Sequence, residues 1–466
     1  MHIRLALVTL MLAFSAQSQN LGDVSFANSG APAAQAAFLR GLALLHDFEY
    51  ADAAKAFHEA QTIDPEFSMA FWGEAMTFNH PIWFQQDAAT ARAVLQKAPQ
   101  AKTERERDYL HTLDALYGDG TKEERDFKYA DAMAALHAKY PDDVDATAFY
   151  ALSLLGTAHH GRDFATYMRA AALLEEVFPT HRRHPGVLHY LIHSYDDPIH
   201  APLGLRAARL YGDVASHAAH ALHMTSHIFV AMGMWDDVIA ANTKALAAHP
   251  MDCGHYAIWL EYGYLQKRKF DEAHDVLLRC KAAVPGDATN GTPVRAEDSA
   301  IGGYATMRAL YFVDSGKLEE ALPSTRAVPS FTLAYTDALA HPTAENVARV
   351  HALAKDALAA IAQRNLSDPS HRERIEVIVQ QVDALALIAS GKRDEGLALL
   401  QKAAEAEHSM PFEFGPPSIE KPSYELLADQ LTAAGRAAEA AKAYQEQLAR
   451  TPGRWLASHH LLDRDR

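Results

Sequence analysis

The sequence has few of the features that mark several common functional classes. It contains only two cysteines and no CxxC motif, which excludes a disulfide-dense scaffold and a cysteine-based redox or zinc motif. Lysine and arginine form no long run and the formal net charge is −16. We therefore expect no nucleic-acid partner, because such a partner would need a basic face. The 24 glycines and 21 prolines among 466 residues are too few for a collagenous or low-complexity chain.

Signatures of well-known enzyme classes are also missing. The chain has no GxxxxGK[ST] phosphate loop, no GxSxG elbow and no HExxH zinc motif. No block alternates apolar and polar residues between turn residues, so a strand-based dinucleotide fold lacks its context. After the first residues no run of 18 apolar residues occurs, and we expect no membrane span.

The first residues have the layout of a secretory signal peptide. Arg4 supplies a positive charge, residues 5–14 (LALVTLMLAF) are apolar, and small residues follow. We predict a signal peptide over residues 1–18, cleaved near Ser15 or Ser18. The mature protein should then be exported, and it should be periplasmic if the source is a Gram-negative bacterium.

Cys253 and Cys280 lie at the two ends of one predicted helical hairpin. Because an antiparallel hairpin brings its ends together, a disulfide is sterically feasible in the oxidising compartment that export implies. Two buried free thiols are the alternative, and the sequence leaves both open.

A repeated pattern predicts the fold. A turn followed by an aromatic residue or glycine, acidic residues and alanine recurs in six segments: 48–53, 233–238, 269–273, 316–321, 391–396 and 435–440. Each segment lies between two helical apolar patterns. Its acidic residues fall in the first turn of the second helix, where the helix dipole favours them. Several of the second helices should end at prolines, which are Pro65, Pro250, Pro285 and Pro452. Units of about 34 residues are typical of tetratricopeptide repeats (TPRs), so we predict an all-α, right-handed TPR-type solenoid.

We divide the mature chain into three parts. The clearest repeat units are 33–65, 218–250, 253–285, 300–325, 375–407 and 423–452. Residues 30–217 should form TPR and degenerate helical pairs, residues 218–325 the central repeats, and residues 326–466 further helical repeats. The last part contains the segment PFEFGPP at 411–417. We expect this segment to pack onto the groove as a lid, or alternatively to cap the solenoid.

Histidine is the residue type that stands out. Of 26 histidines, 13 lie between residues 159 and 255. Four of them form two HxxxH pairs, His189 with His193 and His223 with His227, and the pairs are offset by 34 residues. The i, i+4 spacing puts each pair on one helix face. The offset puts the two faces on the first helices of neighbouring repeats, whose axes should be about 8–10 Å apart. The four imidazoles could therefore converge on one metal ion or on a pair of ions in the concave groove.

Other residues could complete such a site. His80 and His255 occupy related positions on first helices and could bring each metal ion to three imidazoles. Asp196, Glu74 and Glu261 could support the ligands from behind, and Glu261 could also act as a ligand or a general base. The histidines beside turns or leading into helices receive no ligand role, and these are His184, His200, His217 and His220. The alternatives to a metal site are a polar or pH-sensitive groove and structural packing.

Several segments resemble a known family. The strings MAFWGEAMTFNHPIW, HPGVLHYLIHSYDDP, HALHMTSHIFVAMGMWDD and MPFEFGPPSIEKPSYELL are similar to those of secreted bacterial TPR proteins with a histidine-rich middle. The resemblance covers nearly the whole mature chain and implies the fold and export, but no established reaction. The histidines that match its motifs are His80, His189, His193, His223, His227 and His255.

These patterns leave three functions open. The first is a metal protein that holds copper, zinc or iron, with an open coordination position for an oxygen-dependent or hydrolytic reaction. Three imidazoles per ion in a dinuclear site would resemble the ligation of coupled copper proteins. The second is an envelope scaffold that binds a peptide or protein in its groove. The third is a metal carrier without catalysis.

Overall fold

The computed structural model describes residues 20–250, 253–287, 299–363 and 370–462. The predicted signal peptide, residues 1–18, lies outside the described residues. The described chain is almost entirely helical, which confirms the all-α class. Its N-terminal helices are α1 (Gln35–His46), α2 (Tyr50–Ile63), α3 (Ser68–Met76), α4 (Ala88–Leu95), α5 (Glu104–Leu116), α6 (Lys122–Lys139), α7 (Val144–Leu155) and α8 (Phe164–Val177). Two short 3₁₀ helices, Pro32–Ala34 and Pro81–Trp83, and the antiparallel strands β1 (Asn79–His80) and β2 (Gln85–Gln86) complete this region.

Helices continue through the middle and the C-terminal part. The central helices are α9 (Pro185–Tyr195), α10 (Ala201–Val214), α11 (Ala219–Ala231), α12 (Trp235–Ala248), α13 (His255–Gln266), α14 (Phe270–Asp287) and α15 (Ala300–Ser315). The last helices are α16 (Ala327–Ala340), α17 (Ala344–Gln363), α18 (Ser370–Ala389), α19 (Arg393–Ser409), α20 (Ser423–Ala433), α21 (Ala437–Arg450) and α22 (Trp455–Leu462). Within the described ranges, no helix is both long and apolar enough to cross a bilayer.

The helices pack as a solenoid of hairpins. Most helices contact the next one in sequence, and α7, α9 and α11 also contact each other in order, as α13 and α15 do. Contacts between consecutive helices and between every second helix are the pattern of stacked helical pairs. Helices α2, α12 and α21 end two residues before Pro65, Pro250 and Pro452, as predicted. Helix α14 instead continues through Pro285, where the proline removes one backbone hydrogen bond from the last turn.

One predicted hairpin is wrong. Residues 316–325 were expected to begin a second helix after α15, but they are not helical. Pro323 disfavours the helical conformation at the residue before it. The side chain of Arg308 also donates to the Glu319 carbonyl at 2.8 Å, so this backbone group is satisfied by α15 rather than by a helix of its own. The chain therefore passes directly from α15 to α16.

Two central helices are buried on every side. All residues of α9 are buried, and so are all residues of α11 except its last. Helix α9 begins with Pro185 at its first position, and the His184 side chain accepts a hydrogen bond from the Val187 backbone N–H. A helix that is apolar all round is typical of a protein interior. Any polar side chain on α9 or α11 is consequently removed from water.

The C-terminal part folds back onto the middle of the chain. A large hydrophobic core extends from Leu21 to Leu333, and two smaller cores lie among residues 331–457. The Trp235 indole N–H donates to the Gly453 carbonyl at 2.9 Å. Arg454, which is fully buried, forms ion pairs with Asp314 at 2.9 Å and with Glu425 at 2.6 Å. These contacts close the solenoid over its central repeats, while the division at residues 217 and 325 stays a prediction.

Candidate metal centre

Five of the six predicted ligand histidines lie on three first helices. Helix α9 carries His189 and His193, α11 carries His223 and His227, and α13 begins at His255. The first four side chains are at most 2% exposed, and His255 is half-buried. Phe414 of the C-terminal part lies over two of these rings. The four imidazoles of the HxxxH pairs are interior groups.

The first cluster consists of His189, His193 and His220. One ring nitrogen from each lies within 4.8 Å of those of the other two. The Nδ1–H of His189 donates to the His46 backbone carbonyl at 2.6 Å, which leaves a lone pair on its Nε2. The Nε2 atoms of all three rings are buried and have no hydrogen-bond partner in the described part of the chain. Each such group costs about 1–3 kcal/mol when left unsatisfied, and a bound cation would satisfy all three.

The second cluster consists of His223, His227 and His255, whose ring nitrogens also lie within 4.8 Å of one another. The Asn242 side chain fixes the tautomer of His223. Its amide group donates to the Val238 carbonyl at 2.9 Å, so its oxygen must accept from the His223 Nδ1–H at 2.7 Å. The Nε2 atom of His223 consequently has a lone pair and no proton.

Asp196 fixes His227 in the same way. The Asp196 carboxylate accepts from the His227 Nδ1–H at 2.5 Å. When both rings are neutral, the Nε2 atoms of His223 and His227 therefore both carry lone pairs, yet they lie only 3.0 Å apart. Two lone pairs at this distance repel unless a cation lies between them. Two imidazole nitrogens on one tetrahedral metal ion, with bonds of 2.0–2.1 Å, would be about 3.3 Å apart. A carboxylate or carbonyl behind a ligand histidine is the usual support in metal sites.

The two clusters are neighbours. The rings of His193 and His227 are 5.7 Å apart between centroids, and those of His220 and His223 are 6.1 Å apart. His193, Asp196 and His227 also form a group whose ligand atoms lie within 4.8 Å. This arrangement could hold two metal ions side by side, as dinuclear sites do.

Aromatic side chains enclose both clusters. Phe48, held in the left-handed region at φ 58°, lies 4.3 Å from His189 between ring centroids. Trp259 lies 4.3 Å from His227. Phe414, from the 411–417 segment, lies 5.1 Å from His227 and 6.2 Å from His193. The expected packing of this segment onto the site is thus confirmed.

Burial favours the neutral form of several clustered imidazoles. Burial first, and then the neighbouring His227 and His46, lower the pKa of His189 to about 3, although its hydrogen bond to the His46 carbonyl acts in the opposite direction. Burial also holds the pKa values of His193, His220 and His223 well below their ordinary range, and again the adjacent histidines act in the same direction. Neutral imidazole is the form that binds metal ions.

A third group, His46, Asp145 and His184, is a hydrogen-bonded support. His46 Nε2 and His184 Nε2 contact one Asp145 oxygen at 2.9 and 3.2 Å. His46 Nδ1 pairs with the Tyr190 hydroxyl at 3.0 Å, and His184 Nδ1 accepts from the Val187 N–H. Every ring nitrogen is thus engaged, which leaves no lone pair for a metal ion. Because the His46 carbonyl accepts from His189, this group positions the first cluster.

The other predicted site residues lie elsewhere. His80 stacks on Tyr50 with 3.9 Å between ring centroids and is not brought to either cluster. Glu74 accepts from the Gln61 amide at 2.5 Å. Glu261 is fully buried, and burial together with nearby Asp314 raises its carboxyl pKa well above the ordinary range. Neither Glu74 nor Glu261 belongs to a histidine cluster within the described chain.

His220 takes the place that the sequence analysis gave to His80. We had expected no ligand role for His220, and its position in the first cluster corrects that expectation. A signal was present, because His220, His223 and His227 are spaced i, i+3 and i+7, and such residues share one helix face.

Comparisons with known proteins add little about the site. No family model matches the sequence, and no curated protein matches it. Among solved structures, the human IFIT1 dimer with m7Gppp-AAAA is 15% identical, covers 92% of this chain and 91% of its own, and has a TM-score of 0.38. The P58(IPK) TPR domain is 12% identical, covers 93% and 97%, and has a TM-score of 0.23. We transfer no ligand, substrate or partner from these likenesses.

Proposed function

We propose that the chain binds two transition-metal ions, one in each three-histidine cluster. The observation that carries this proposal is the 3.0 Å contact between the Nε2 atoms of His223 and His227. Their Nδ1 atoms are donors to Asn242 and Asp196, so two neutral rings cannot form an Nε2–Nε2 hydrogen bond with each other. A metal ion would turn this repulsive contact into two ligand bonds.

The ligand chemistry supports copper or zinc over other ions. Neutral imidazole suits copper, zinc and iron, whereas magnesium and calcium prefer oxygen ligands. Thiolates are absent here, since Cys253 and Cys280 are paired in a disulfide. Non-haem iron sites favour two histidines with a carboxylate; His193, His227 and the second Asp196 oxygen, which has no hydrogen-bond partner in the described chain, could supply such a set for only one ion. Two adjacent three-imidazole sets resemble the ligation of coupled copper proteins, so we propose copper first and zinc second.

The arrangement also supports reactivity at the proposed ions. Three protein ligands leave coordination positions on each ion for a small molecule, as in catalytic metal sites. A small surface opening nearby is lined by Asp196, which lies behind His227, and also by Phe414, Trp235 and Tyr262. An oxygen-dependent or hydrolytic reaction would follow.

A non-catalytic metal carrier is the second candidate. The almost complete burial of His189, His193, His223 and His227 favours retention of the ions over exchange with solvent. A metal-free scaffold that binds a peptide or protein is the remaining alternative, and it would leave the buried lone pairs uncompensated. We also propose export, into the periplasm if the source is Gram-negative, where the Cys253–Cys280 disulfide would be maintained.

Metal analysis of protein purified from its native compartment tests the proposal. The wild type should contain about two equivalents of copper or zinc. Replacing His193 or His227 with alanine should lower the metal content sharply while leaving the helical circular dichroism spectrum nearly unchanged. The control is His217, which accepts a hydrogen bond from the Asn20 backbone N–H. Its replacement by alanine should leave the metal content unchanged. Full metal content in the His193→Ala and His227→Ala proteins would return the scaffold function to first place.

Turnover assays would then separate an enzyme from a carrier. The metal-loaded protein would be tested for oxygen consumption and for hydrolysis with panels of small substrates. Stoichiometric metal with turnover would support the enzyme, whereas stoichiometric metal without turnover would support the carrier.

A further inference from the structure

The disulfide lies next to one of the proposed metal ligands. Cys253 and Cys280 are paired with 5.3 Å between their Cα atoms, across a sequence separation of 27 residues. Cys280 is fully buried in α14. Cys253 precedes His255 by two residues. The bond therefore ties the start of α13 to the second helix of the same hairpin.

Among the six clustered histidines, His255 is the one at the first position of a helix, where it begins α13. The other five side chains are buried, whereas His255 is half-buried. Helix ends fray more readily than helix interiors. The place of His255 therefore depends on what holds the residues just before it.

Two contacts of Cys253 bear on the position of those residues. One is the disulfide to α14. The other comes from α15, where Gly303 lies so close to Cys253 that an added Cβ would be 1.6 Å from the Cys253 carbonyl oxygen. His255 is thereby kept against the second cluster, with its ring centroid 4.4 Å from that of His223 and 5.9 Å from that of His227.

We propose that the Cys253–Cys280 disulfide is a positioning element for the second metal ion. It fixes His255 beside His223 and His227 and so completes a three-imidazole set. The first cluster does not depend on it, since His189, His193 and His220 lie on α9 and α11. This inference rests on the proposed function.

The test is a zinc titration of the exported protein after removal of its metal. The wild type should bind two Zn²⁺ ions tightly. The Cys253→Ala/Cys280→Ala protein should keep one tight ion and bind the second about 10- to 100-fold more weakly, the usual loss when ligand support is removed. His255→Ala should have the same effect. Adding His255→Ala to the cysteine double variant should cause little further loss of affinity for the second ion. The reason is that both changes act through the position of the His255 side chain.

Two further variants separate positioning from general destabilisation. Gly303→Ala should displace the Cys253 backbone while both cysteines stay in the sequence. It should therefore also weaken binding of the second ion. If the cysteine pair does not fold, this variant decides the question. Leu277→Ala removes a fully buried side chain from α14 and should weaken the hairpin, yet leave both ions bound. Retention of the first ion and the helical spectrum report that each variant is folded.

Three results would overturn the inference. In the first, the Cys253→Ala/Cys280→Ala protein binds both ions with wild-type affinity. In the second, the loss of affinity in this protein adds fully to the loss caused by His255→Ala. In the third, Gly303→Ala leaves the affinity for the second ion unchanged. A wild type that binds no Zn²⁺ or Cu²⁺ would instead show that the proposed function itself is wrong.

Discussion

Replacing His220 with alanine should remove one bound metal ion, whereas replacing His80 should remove none. The repeat register favoured His80 as a ligand, but the structure puts His220 into the first cluster with His189 and His193. His80 lies in the short strand β1 and stacks on Tyr50. The two substitutions make the same chemical change. They therefore test whether the ligand is the histidine chosen by the repeat register or the one that the fold brings to the cluster.

The size of the effect follows from the number of ligands. Structural zinc sites contribute about 10–16 kcal/mol through four ligands, or about 3 kcal/mol for each. The loss of one imidazole from the first cluster should thus weaken that site about 100-fold. The second cluster does not include His220, so its affinity should change much less. His80→Ala should leave both affinities within about 2-fold of the wild type, because neither cluster found in the described chain includes His80.

The assay is reconstitution of chelator-stripped protein followed by metal analysis and competition with a chromophoric chelator. Cobalt(II) provides an independent readout, because its visible absorption reports the ligands of each ion. The His220→Ala protein should retain one equivalent where the wild type retains two. If His220→Ala keeps both equivalents and His80→Ala loses one, the cluster assignment is refuted and the register of the repeats is the better guide.

Two further predictions concern stability. Burial lowers the pKa of His46 to about 4 from an ordinary 6.5, so below pH 6.5 the unfolded chain binds a proton that the folded chain does not. The free energy of unfolding of the metal-free protein should therefore fall on acidification from pH 6.5 to 4, by about 1.4 kcal/mol per pH unit from this residue alone. Urea unfolding at pH 7, 6 and 5 measures this change. An unfolding midpoint that does not change with pH would contradict the prediction. Arg454→Leu should destabilise the fold by about 3–5 kcal/mol, since it leaves Asp314 and Glu425 buried without their cation. Thermal unfolding tests this against Arg436→Leu, which breaks an exposed pair and should change stability by less than about 1 kcal/mol.

The sequence predicted those features that depend on local periodicity. Helical hairpins recur because their turn and acidic signals are local. The offset of 34 residues also correctly predicted that the two HxxxH pairs are neighbours, since α9 and α11 are regular helices in contact. The prediction that His80 lies on a first helix was wrong because α3 ends at Met76. Repeat positions counted along a continuous helix do not describe residues after its end. The packing of the last helices against the central repeats was not predicted, because contacts such as Trp235 with Gly453 join residues far apart in sequence.

The burial of the clusters connects the proposed metal ions to the stability of the fold. The three Nε2 atoms of His189, His193 and His220 have no partner in the described chain, which costs about 3–9 kcal/mol in total at the usual value for each group. This amount is comparable with the whole stability of a typical domain, about 5–15 kcal/mol. A cation bound by these atoms would offset this cost at the place where it arises. By binding only the folded state, metal ions would also stabilise the packing of α9 against α11.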